Sequence, residues 1–199
     1  ILKTIIFIMD KFSKIEKKSL HSIKKEKEDD VLFKNDHMSV INYEDYSIVK
    51  ECDFVVCLIY LIESNQIILR HEYIPTFKYV DGQEYHITIL SGGIKKGESP
   101  EMSLLREIEE EAGIVINPDF KFEFMKPLFM SKAHSSKYHP CLMTLSERDY
   151  HEVIPKTDGS KLEKLSKCVK LDIKHISSIN TSDLITDYMI EKFKSENNL

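Results

Sequence analysis

Apolar and polar positions along the chain change period several times, and each change predicts an element. DFVVCLIYLI (53–62) is a near-continuous apolar run rich in β-branched residues, which predicts a strand buried on both faces. ESNQ turns the chain and IILR (67–70) returns, so a hairpin is expected there. Asp81-Gly82 is a second turn signal, between FKYV and EYHITIL. The period then becomes helical. Leu104, Leu105, Ile108 and Ala112 share one side at 100° per residue, Ser99 is a natural N-cap, Pro100 suits the first helical position, and Gly113 suits the left-handed position after the last turn. A helix over about 100–112 is predicted. KFEFMKPLFM (121–130), CLMTL (141–145) and KLSKCVKLDI (164–173) read as strands, with a polar loop, SKAHSSKYH (131–139), between the first two. TSDLITDYMIEKFKS (181–195) is an amphipathic helix opened by a Thr/Ser/Asp cap cluster.

Residues 9–50 are polar, lysine-rich and weakly patterned, with short extended candidates at 31–34 and 39–49. Strands accompanied by one central and one terminal helix predict an α/β sandwich on a mixed sheet. The expected division is an N-terminal extension or small β unit over 1–50 and a larger domain over 51–199. The opening ILKTIIFIM is too short to span a bilayer and lacks a small-residue cleavage site. It is either a strand or, with Met9 as the natural start, upstream translation.

Composition narrows the class. With 42% apolar and 31% charged residues the chain is an ordinary globular one, and its net charge of −5 argues against nucleic-acid binding through a general basic field. The basic run KKSLHSIKKEKEDD (17–30) carries its own acids and reads as solvated. Four cysteines (Cys52, Cys57, Cys141, Cys168) without metal spacing suggest buried thiols in a reducing, cytoplasmic setting. The eight histidines show no zinc spacing.

The segment GGIKKGESPEMSLLREIEEEAGI (92–114) carries the chemistry. On the predicted helix Glu107, Glu110 and Glu111 fall in one sector beside the apolar one, and Glu109 points elsewhere, to solvent. Arg106 sits beside Glu110 and within reach of Glu98. Carboxylates converging next to a packed face are costly without compensation. A divalent cation with oxygen ligands supplies it: Mg²⁺ takes one or two carboxylates, water and substrate phosphate oxygens. A merely acidic, solvated helix is the plainer reading of such a run.

This segment resembles the box of the Nudix hydrolases, G-x5-E-x7-R-E-U-x-E-E-x-G-U with U aliphatic, and meets every defined position: Gly92, Glu98, Arg106, Glu107, Ile108, Glu110, Glu111, Gly113 and Ile114. The resemblance implies a Nudix α/β/α sandwich with a mixed central sheet and the hydrolysis of a diphosphate linkage. It implies metal ligation by Glu107 and Glu111 with Glu110 assisting, and by the carbonyl of Ser91. It gives Glu98 a supporting or base-like role held by Arg106. Mg²⁺ is the expected cofactor, with Mn²⁺ a substitute.

Outside the box, residues 40–195 resemble the ADP-ribose/ADP-sugar pyrophosphatase branch in the order of elements, which implies a nucleotide substrate and a homodimer. Two features depart from that branch. L-P-A-G before the box is replaced by Leu90-Ser91-Gly92, and the later loop has Lys132 and Ala133 for Pro-Gly and no carboxylate to serve as base. The base is then His134, a glutamate of the box, or an acid within 147–152. Arg70, Gly92, Gly93 and Lys132 are the candidate substrate contacts, though Arg70 equally suits the polar end of a strand and Lys132 a solvated loop. Rival readings are an enzyme of dinucleoside polyphosphates, NADH or capped RNA, and a scaffold that binds a nucleotide without turnover. Capped RNA calls for a basic channel, which the net charge does not advertise.

Overall fold

The computed structural model describes residues 30–156 and 161–199, so the apolar opening and the basic run, except Asp30, lie outside the described residues. Three short strands come first: β1 (Val31–Lys34), β2 (Ser39–Tyr43) and β3 (Tyr46–Lys50), an antiparallel sheet in that order. Next come β4 (Phe54–Leu61), β5 (Gln66–Tyr73), helix α1 (Pro75–Asp81), β6 (Tyr85–Thr88) and β7 (Leu90–Gly93). Helix α2 (Pro100–Glu107) runs on into a widened π turn at Ile108–Ala112 and then β8 (Ile114–Ile116). The remainder is β9 (Leu128–Phe129), β10 (Lys137–Leu145), β11 (Tyr150–Glu152), α3 (Lys161–Leu165), β12 (Lys167–Asp172) and α4 (Leu184–Asn197).

The main sheet has the order β12-β5-β4-β10-β9, with β6 added to β5 and β7 to β4. It is mixed: β4 and β10 are parallel over Phe54–Leu61, and the other pairs are antiparallel. Two-residue alternation gives β4 two dry faces. Val55, Cys57, Ile59 and Leu61 meet Leu104 and Ile108 of the α2 segment, while Val56 and Leu58 meet Ile185, Met189, Ile190 and Phe193 of α4. The expected α/β/α sandwich is present.

Several local expectations are corrected. The Asp81-Gly82 turn closes a helix that the sequence reading did not include: Pro75 opens α1, and Gly82, at φ 78°, caps it by donating its N–H to Lys78 O. EYHITIL divides into β6 and β7, so the chain leaves β5 at Thr88 and joins β4 at Leu90. KFEFMKPLFM is mostly irregular, with a single bridge from Phe124 to Cys141 and two strand residues; Pro127 has no N–H to give a ladder. β10 begins at Lys137, inside the expected loop, because its parallel pairing with β4 starts at Tyr138 opposite Phe54. Leu105 is 38% exposed, since the packed stripe of α2 is narrower than expected and holds Leu104 and Ile108. Cys57 and Cys141 are buried, whereas Cys52 is exposed.

Candidate active site

The box folds as strand, loop and helix, with glycines where side chains would collide. A Cβ on Gly92 would run into the Glu107 side chain, so this position of β7 must be bare for that carboxylate to lie against the sheet. Ser99 caps α2, its hydroxyl accepting from Met102 N at 3.2 Å. The π turn ends at Gly113, φ 64°, whose N–H reaches the carbonyls of both Glu109 and Ile108. Gly113 also lies where a side chain would strike Val153 O and the ring of Pro155. Widened turns of this kind often re-aim side chains at functional sites.

Arg106 is the hub of the loop–helix junction. Its Nη1 donates to Glu107 Oε1 (2.6 Å) and Glu110 Oε2 (3.0 Å), its Nη2 to Glu98 Oε2 (3.0 Å) and Gly93 O (3.1 Å), and its Nε to Glu98 Oε1 (3.0 Å). All five of its N–H bonds are directed at acceptors. Glu98 also accepts from Ser103 Oγ (2.6 Å) and Lys95 N (3.2 Å). The Arg106 guanidinium, followed by the Ser103 hydroxyl, holds the Glu98 carboxyl down to about 2. Burial pushes Glu107 the other way, above the ordinary carboxylate value, against the pull of Arg106.

Glu111 is held separately. Arg70 Nη1 on β5 donates to Glu111 Oε1, and the two side chains are 7% and 6% exposed. Glu109 reaches outward instead, to Lys156 Nζ at 3.0 Å.

These groups border one cavity of about 720 Å³. Its wall includes Ser91, Gly92, Gly93, Lys95, Lys96, Arg106, Glu107, Glu110 and Glu111, together with Arg70 and Glu72 from β5 and Phe54, Tyr73, Ile74 and Pro75. Asp36, His37 and Glu51 close it from the N-terminal sheet and its exit.

A family model described as the NUDIX domain matches residues 54–169. The chain belongs to the NUDIX family. It is an enzyme of the Nudix pyrophosphatase kind, acting on a phosphoric anhydride of a small nucleotide substrate, and enzymes of this family generally use a divalent metal. Among similar solved structures, an ADP compounds hydrolase shares 18% identity with a TM-score of 0.58, covering 88% of this chain and 97% of its own. A MutT structure, described as from Aliivibrio salmonicida and Vibrio cholerae, shares 17% identity with a TM-score of 0.47, covering 70% of this chain and 97% of its own. At 18% identity the likeness to the ADP compounds hydrolase is one of fold. No curated protein matches the chain by sequence at a significant level.

The donor chemistry fits a hard cation. Glu107, Glu110 and Glu111 offer carboxylate oxygens, and Glu111 Oε2 is buried with no hydrogen-bond partner. Among the described residues no three acid, histidine or cysteine side chains already form a cage; Arg106 Nη1 holds Glu107 and Glu110, and Arg70 holds Glu111. Mg²⁺ needs only one or two of them.

Other anticipated residues fall elsewhere. Lys132 and His134 are not in the cavity wall. Their loop docks on β3, with Val49 N donating to Ala133 O (2.8 Å) and Ser135 N to Val49 O (3.0 Å). His134 Nδ1 meets Ser131 Oγ at 2.7 Å, and its Nε2 lies 3.8 Å from Glu51 Oε1. The acids of 147–152 sit beside β8, away from the cavity. Sequence reasoning missed Glu51 and Glu72. Alternation from buried Ile68 puts Arg70 and Glu72 on the box side of β5, a signal that was legible for the latter.

Proposed function

We propose that this Nudix enzyme cleaves, with Mg²⁺ or Mn²⁺, the diphosphate linkage of a nucleoside diphosphate joined to another moiety, ADP-ribose or an ADP-sugar. The observation that carries the reading is the mixed make-up of the cavity wall, which combines the box acids, Lys95 and Lys96 with Phe54, Tyr73, Ile74 and Pro75. A ligand with a charged centre and a flat aromatic end suits such a wall. Glu107, Glu110, Glu111 and the Ser91 carbonyl would hold the cation, which when bound screens phosphate charge and lowers the pKa of water.

The chain's own residues do the rest. Lys95 and Lys96 meet phosphate oxygens, Gly92 and Gly93 line the cavity with Gly92 leaving room for the Glu107 carboxylate, and Phe54 and Tyr73 pack against the base. Arg106 fixes the box acids. Glu98 is a poor proton acceptor near neutral pH, because its oxygens are engaged and its carboxyl sits at about 2. Proton transfer then falls to Glu51, which lines the cavity, with His134 beside it. His134→Ala and Glu51→Gln should each lower kcat by about 10²-fold, and unchanged rates in both would remove that assignment.

We further propose that the chain divides into a small N-terminal unit over 1–50 and a catalytic domain over 51–199, and that the N-terminal unit pairs two copies in a homodimer. Leu32, Phe33, Tyr43 and Tyr46 of its sheet are exposed. A monomer in light scattering at working concentrations would contradict this. No helix among the described residues is long and apolar enough to cross a membrane, and free thiols favour a cytoplasmic setting. Comparing kcat/KM for ADP-ribose, ADP-sugars, dinucleoside polyphosphates, NADH and capped RNA tests the substrate class. The ADP conjugates should rank first; a higher value for any of the others would overturn the choice.

A further inference from the structure

Arg70 and Glu111 are a buried pair left incomplete. Arg70 Nε and Glu111 Oε2 are both buried and neither has a hydrogen-bond partner. A desolvated ion pair repays its cost only when the remaining donors and acceptors are also satisfied. Arg106, with every N–H used, shows what a finished anchor looks like in this same site. Arg70 has a second carboxylate within reach: its Nη1 lies 3.7 Å from Glu72 Oε1. Glu72 is itself held in place, since Thr88 Oγ1 donates to its Oε2 at 2.7 Å.

The backbone around Arg70 is fixed on both sides, opposite Thr88 on β6 and Cys168 on β12, so only the side chain can move. An arginine does not relieve its charge by losing a proton. It can only change partners.

We propose that Arg70 is a built-in counter-cation that competes with the divalent metal for Glu111 and turns to Glu72 when it lets go, thereby setting the metal affinity of the site. This rests on Glu111 being a metal ligand. The competition is a coupling between two cations at one carboxylate, and it is reciprocal. Removing the arginine frees the ligand, so the site binds metal more tightly. A purely structural role predicts the reverse, since loss of a packing partner would loosen the site.

The test is Mn²⁺ titration of the full chain, with free Mn²⁺ read by electron paramagnetic resonance, and folding checked by circular dichroism. Arg70→Met should lower the Kd for Mn²⁺ about fivefold or more. Glu72→Gln, which removes the receiving partner, should raise it. An unchanged or weaker affinity in folded Arg70→Met overturns the inference. If that variant does not fold, Glu72→Gln decides, and an unchanged Kd there overturns it. Glu111→Gln separates the two levels of the argument. Loss of Mn²⁺ binding there with no tightening in Arg70→Met sinks the inference alone; wild-type binding by Glu111→Gln removes the ligand reading and the inference with it.

Discussion

The two faces of β4 are built from one strand and the same residue types, yet they meet different demands. On the α4 side Val56 and Leu58 pack on Met189, Ile190 and Phe193, and the buried hydroxyl of Thr186 is fully engaged, to Asp183 Oδ2 (2.5 Å) and from Ile89 N (3.1 Å). On the box side the core of Leu104 and Ile108 adjoins Glu107, Glu111 and Arg70, which are buried charges, two of them with an unpartnered atom. The first face is satisfied and stabilises. The second holds unresolved charge next to a cavity, where a ligand can complete it. Buried conflict in this enzyme lies on the side we propose does the chemistry.

Glu111→Gln, a near-isosteric change on the box side, should lower kcat by about 10²-fold or more, as for other losses of transition-state charge stabilisation. Met189→Ala on the other face should destabilise by about 2–5 kcal/mol in a denaturant titration while leaving kcat of the folded protein intact. A Met189→Ala enzyme that folds normally but turns over slowly would break the division between the faces.

Acid sharpens the comparison further. Glu98 has its carboxyl held down to about 2 by Arg106 and then Ser103, so its folded value lies below its unfolded value. Its contribution is therefore present above an ordinary carboxylate pKa of about 4.3 and is lost as pH falls towards 2. The Glu98 side chain is 20% exposed, so solvent screening limits the effect to about 1 kcal/mol or less. The melting-temperature gap between wild type and Glu98→Gln should shrink across that window, and a gap that grows would reverse the sign. The smallest effect belongs to Glu109→Gln, which should be nearly silent in kcat because Glu109 pairs outward with Lys156.

The box was legible in the sequence because it is local: a loop and one helix carry residue types at fixed spacing, with Ser99, Pro100 and Gly113 marking the ends. The central strand and both sandwich helices were legible for the same reason. What was not legible depends on register between distant strands. Glu72 meets Thr88 through the pairing of β5 and β6, and Glu51 meets His134 because the loop after β9 docks on β3. The helix before Asp81-Gly82 was missed because a glycine in the left-handed region ends a helix as well as it turns two strands, and only Pro75 distinguishes the two.

Metal-dependent cleavage of a diphosphate linkage is tested by incubating the purified protein with ADP-ribose across a Mg²⁺ titration and resolving the products. Hydrolysis of the diphosphate consumes one water and yields AMP and ribose 5-phosphate in equal amounts. Both should appear together, rise with Mg²⁺, vanish with a chelator and fall sharply in Glu111→Gln. Equal product formation in the presence of chelator, or no cleavage of any nucleoside diphosphate conjugate by folded protein with Mg²⁺ or Mn²⁺, would contradict that expectation.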